Sequence, residues 1–113
     1  MFENMTLEEL KERLENKTSL KFKIVTLFGR DEIVVDGLKT YENIAVKFLR
    51  YSTSDERNGK RFISIGYRSH ESGGGRPCDS IDKAIKDIES IYVDMGYELP
   101  KEKFEQLSLF EWE

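Results

Sequence analysis

A single cysteine, Cys78, and a single histidine, His70, are all that this sequence of 113 residues offers of the two side chains most used in metal binding and nucleophilic chemistry. One cysteine excludes an internal disulfide, so nothing points to an oxidising compartment. The longest apolar stretch, residues 24–28 with Thr26 inside it, falls far short of the roughly 20 residues that span a bilayer. The first residues, Met1-Phe2-Glu3-Asn4, lack the basic and then apolar pattern of a secretory signal. A cytoplasmic protein without a membrane partner is expected. Excess positive charge is missing too: the formal net charge is −4, which disfavours a constitutive, non-specific binder of nucleic acid.

That average hides an asymmetry. Between Val46 and Pro77, the cations Lys47, Arg50, Arg57, Lys60, Arg61, Arg68 and Arg76 meet only Asp55, Glu56 and Glu71, a local net of +4 that leaves −8 for the remainder. These seven are the candidate nucleic-acid-binding residues, with DNA as the candidate partner. Solvated strand ends carry the same composition.

Apolar residues make up 38% of the chain and charged residues 35%, enough Phe, Tyr, Ile and Leu for one core. A chain of this length is too short for two cores. The expected organisation is an α+β domain over residues 1–97 followed by an extended tail over 98–113. Thr6-Leu7-Glu8-Glu9 has the capping-box pattern of a helix start, and Leu7, Leu10 and Leu14 follow at helical spacing until residues 16–19 stop the helix. The period then changes to two. Leu20, Phe22, Ile24 and Phe28 are expected to share one face of a first strand, with a turn at Gly29-Arg30-Asp31 leading to a second over 32–35. A third strand over 43–51 and a fourth over 61–67 flank Asn58-Gly59, a pair suited to the positive φ of tight hairpins. Gly73-Gly74-Gly75 and Pro77 predict a mobile loop. Asp79 or Ser80 then caps a second helix, where Ile81, Ala84, Ile85, Ile88 and Ile91 form an apolar stripe that Gly96 ends. The expected sheet has three to four antiparallel strands, with both helices on one face.

The pattern shows no catalytic or metal chemistry, and a non-enzymatic protein without a cofactor is expected. Cys78 and His70 share one loop, but a glycine-rich loop is a poor scaffold for a nucleophile and its base. A zinc set built from His70, Glu71, Cys78 and Asp79 lacks the second Cys or His of the usual sites. The glycine run precedes a helix without the Gly-Lys-Ser/Thr of a phosphate loop.

The tail carries the specific signal. Gln106-Leu107-Ser108-Leu109-Phe110 resembles the pentapeptide, Q-L-[SD]-L-F, with which bacterial polymerases, mismatch-repair proteins and some mobile-element proteins bind the DNA polymerase sliding clamp; the match holds at all five positions. The resemblance implies that Gln106 hydrogen-bonds at the rim of a clamp pocket while Leu107, Leu109 and Phe110 fill apolar subsites. Burying three such side chains contributes roughly 1.5–3 kcal/mol each, and ordering the backbone costs about 1–2 kcal/mol per residue. Micromolar affinity, about −8 kcal/mol, therefore already draws on Gln106 and the flanks. The resemblance implies an accessory or modulator of DNA replication or repair, in a bacterial or bacteriophage setting, with the clamp as its partner. The alternative is a small nucleic-acid-binding or phage anti-defence module whose Phe104, Leu107, Leu109 and Trp112 pack on its own domain as a latch. Oligomeric state, and help against hindrance of replication, stay open at this stage.

Overall fold

The computed structural model describes residues 2–52, 54, 56 and 58–100. Thr6 caps the first helix, α1 (Leu7–Lys17), its hydroxyl accepting the Glu9 N–H at 3.1 Å. Five strands follow: β1 (Phe22–Leu27), β2 (Arg30–Val35), β3 (Asn43–Arg50), β4 (Arg61–Arg68) and β5 (Gly73–Cys78). The second helix, α2 (Ile81–Asp94), starts at Ser80, whose hydroxyl accepts the Lys83 N–H at 3.1 Å. The α+β class and the two helices are as expected.

The strands form one antiparallel meander in the order β1-β2-β3-β4-β5. The register lines up Ile24, Ile33, Val46, Ile65 and Arg76 across the sheet. Because side chains alternate along a strand, that row fixes the covered face: Leu10 and Leu14 of α1 and Ala84, Ile88 and Ile91 of α2 close over Ile33, Ile44, Val46, Ile63 and Ile65 in one buried cluster. Val34 and Ala45 point the other way and lie outside that cluster. The Glu15 carboxylate ties α1 to the sheet by accepting the Phe22 N–H at 3.1 Å. Packing continues to the end of the described chain, where Leu99 rests on the core and the Pro100 carbonyl accepts the Ser19 hydroxyl at 2.7 Å.

Two expectations need correction. The sheet has five strands rather than three or four, because Gly73–Cys78 is a strand and not a loop. Its glycines are what let it pair. A Cβ on Gly74 would sit 2.9 Å from the Tyr67 hydroxyl and 3.1 Å from the ring, so only glycine lets that aromatic ring cross the strand. Pro77 is tolerated because β5 is an edge strand. The second correction concerns the first hairpin. Leu27 pairs with Arg30, leaving Phe28 and Gly29 as a two-residue turn with φ of 53° and 76°. Phe28, expected on the buried face, is fully exposed at the hairpin tip.

Candidate functional site

The clamp-like residues Gln106, Leu107, Ser108, Leu109 and Phe110 lie outside the described residues, as does Arg57. The other basic candidates divide by the phase of their strands. Lys47 and Arg68 stand on the open face, while Arg50, Arg61 and Arg76 are in step with the buried isoleucines and lie on the helix-bearing side. Arg61, expected from the sequence beside Lys47 on the wet face, thus lies on the opposite side, a placement that its alternation with Ile63 and Ile65 carried.

Most of these cations are engaged within the protein. Arg50 meets Glu3 at 3.0 Å and the Gly59 carbonyl at 2.7 Å. Arg61 donates to the carbonyls of Glu3 and Met5 at 2.8 and 3.2 Å, with its guanidinium 3.9 Å above the Phe48 ring. The Arg61 backbone N–H, against the opposing effect of burial, and then Arg50 hold the Glu3 carboxyl below its ordinary 4.5. These arginines fasten the segment before α1 over the end of the sheet. Lys47 faces Glu32 at 3.6 Å. Lys60 and Arg68 make no ion pair among the described residues.

Cys78 and His70 do not form a site. The Cys78 thiol is 1% exposed and donates to the Asp87 carboxylate at 3.2 Å; burial first, and that hydrogen bond second, push its pKa from 9.0 up to about 12. A thiol held neutral at pH 7 is a weak nucleophile. His70 is instead an exposed loop residue with its ring edge-on to Tyr41, centroids 5.3 Å apart. Among the described residues no group of three or more His, Cys, Asp and Glu comes together to hold a metal ion.

Asp87, absent from the sequence reading, is the one buried carboxylate among the described residues. It receives Lys83 Nζ at 2.7 Å, Cys78 Sγ at 3.2 Å and Arg76 Nη1 at 3.4 Å. Burial pushes its pKa up, but the hydrogen bonds from Lys83 and Cys78 and the charges of Lys83 and Arg76 outweigh it and leave the carboxyl below 3.8. The Lys83–Asp87 spacing of one helical turn was readable, whereas the reach of α2 to β5 was not. This group fastens α2 to the edge strand.

The remaining feature is the notch where β2 leaves β3. Only Ile33–Val46 and Val34–Ala45 pair between these strands, so the outer half of the β1–β2 hairpin stands away from the sheet. A cleft of about 430 Å³ opens there, lined by Leu7, Arg30, Lys47, Phe48, Leu49 and Arg61 among others. Beside it, Leu27 and Leu49 are 48% and 39% exposed.

The described part is therefore an α+β domain whose five-stranded sheet carries both helices on one face and leaves the other open. No protein family, curated protein or solved structure matches the chain. No helix of the described residues is long and apolar enough to cross a membrane.

Proposed function

We propose that this protein is an accessory factor or modulator of DNA replication or repair, recruited to the bacterial sliding clamp by residues 106–110, with bacteriophage as one natural setting. The observation that carries the reading is the five-position match of Gln106-Leu107-Ser108-Leu109-Phe110 to the clamp-binding pentapeptide. The folded part is compatible with it. Leu99 and Pro100 are held on the domain near Ser19, and six residues separate that anchor from Leu107, enough for about 20 Å of extended chain. Charged groups alternate with the apolar anchors, so the segment stays compatible with water until a groove takes the anchors up.

The test uses the full chain and a purified bacterial clamp in fluorescence anisotropy. Micromolar binding is expected, and Leu109→Ala with Phe110→Ala should lower it at least tenfold, since each truncation removes roughly 1.5–3 kcal/mol of burial, while circular dichroism of the domain stays unchanged. Indifference of the clamp to the intact chain would end this reading. Unfolding of the doubly substituted chain would instead favour the latch.

A further inference from the structure

Charge is divided between the two sides of the molecule. The open-face positions of the five strands hold the cations Lys23, Arg30, Lys47 and Arg68 and one carboxylate, Glu32, a net of +3. The two helices hold eight carboxylates against five cations, a net of −3. The open-face cations are only lightly engaged: Lys23 and Lys47 have ion pairs of 3.6 Å to Asp36 and Glu32, and Arg30 and Arg68 have none among the described residues. Between Arg68 and the notch beside Arg30, this face carries Val34, Ala45, Ser64 and Gly66 together with the Lys47–Glu32 pair. At the Arg30 end lie three of the five exposed large apolar side chains, Leu27, Phe28 and Leu49. Phe28 is held outward at a positive φ that an aromatic residue rarely adopts, and the protein gains no burial from it.

We propose that the open face of the sheet, from Arg68 at one end to Arg30 and Phe28 at the other, is a binding track for single-stranded DNA. Cations spaced along an open sheet face match a phosphate chain, and an exposed aromatic ring at the hairpin end offers a stacking platform for an unpaired base. Six residue steps lead from the Asn43–Arg68 row to Leu49, about 20 Å at strand rise, the length of a few nucleotides. Duplex DNA would present no free base to Phe28. The choice of DNA over RNA rests on the clamp reading above; the binding itself does not.

The experiment measures anisotropy of a labelled oligothymidylate with the full chain and no clamp present, so its result is independent of residues 106–110. Binding is expected at about 50 mM salt and should weaken steeply toward 200 mM, with a log–log slope near −2 to −3 for three or four phosphates. Arg30→Glu with Arg68→Glu should weaken binding at least tenfold and flatten that slope by more than one unit. Phe28→Ala should weaken it about tenfold through lost stacking, with the slope unchanged. Lys86→Glu, on the helix side, should change nothing. The proposal is overturned if the intact chain does not bind at low salt, if a duplex binds more tightly than the single strand, or if Lys86→Glu acts as strongly as the open-face pair. An oligouridylate that binds more tightly overturns the choice of DNA. Concentration-dependent dimers in sedimentation, abolished by Leu27→Asp with Leu49→Asp, would assign the face to a second copy instead.

Discussion

Alternate residues of the same five strands build two faces that obey different rules. On the covered face isoleucines and valines meet the helices, Tyr67 lies against Gly74, and the one buried carboxylate among the described residues has three donors. On the open face, long cations, small residues and an unburied leucine share the surface, with two ion pairs of 3.6 Å as its only ionic contacts among the described residues. Most of the buried apolar surface therefore lies on one side of the sheet, with Val34 and Ala45 the buried residues of the other among those described. Truncation of a strand residue should pass from large to small effect on folding between the two faces. Ile65→Ala, which empties a site with no exposed surface, should lower the unfolding free energy in urea by about 2–4 kcal/mol. Leu49→Ala on the open face should change it by no more than about 0.5 kcal/mol. Equal effects would break the comparison.

The next largest effect concerns Asp87. Its removal as Asp87→Ala leaves Lys83, Arg76 and the buried Cys78 thiol without their common acceptor, and should cost about 1–3 kcal/mol. Because the folded carboxyl lies below its ordinary 3.8, its contribution is complete above that value and is lost as pH falls through the lower folded pKa. Urea titrations between about pH 6 and pH 2.5 should show the chain losing stability in acid, and Asp87→Asn should flatten part of that loss. Glu3 and Glu15, also lowered, act with the same sign and supply the remainder. The partnered thiol gives a second reading of the same site. With its pKa raised from 9.0 to about 12, folded Cys78 should react with a disulfide reagent at pH 8 on the order of a thousandfold more slowly than in urea. Fast labelling of the folded chain would remove the fastening from the covered face.

Much of this division was legible in the sequence, and the failures have physical causes. Both helix starts could be read from Thr6 and Ser80 because capping is local chemistry, and the apolar stripe of α2 found the core because helical period is local too. The fifth strand was missed because glycine lowers strand propensity whatever its surroundings, while the reason for Gly74 is a ring on the neighbouring strand. Phe28 was assigned to the interior on period alone. The pairing of Leu27 with Arg30 shifts it into the turn, and a turn of that length is fixed by register rather than by residue type. Asp87 stood one turn from Lys83 in plain view, but its burial depends on β5, the strand that glycine concealed.

A smaller effect separates the glycines of that strand. Gly74→Ala, in phase with the covered face, must displace the Tyr67 ring and should destabilise by about 0.5–1.5 kcal/mol. Gly75→Ala, whose new methyl would find its nearest neighbour at 3.7 Å, should be neutral or slightly stabilising, because alanine loses less conformational freedom than glycine. Thermal unfolding of the two variants compares the faces at adjacent residues of one strand. A greater loss at Gly75 would reverse the assignment of faces in β5.

The last expected effect on folding is a small gain, and it tests what the open face is for. Phe28 adopts a φ of 53° with its side chain fully exposed, so it carries the strain of the left-handed region without the burial that usually offsets it. Phe28→Asn places the residue pair favoured in tight hairpin turns ahead of Gly29 and should raise stability by about 0.5–1 kcal/mol, read as a small upward shift in the urea midpoint. If Phe28 is a stacking platform, the same substitution should weaken single-stranded DNA binding about tenfold. A stabilised chain that binds less tightly is the signature of a residue kept for contact at the expense of its fold. A stabilised chain with unchanged binding would leave the aromatic side chain at the hairpin tip without a role in recognition, and would confine the proposed track to its cations.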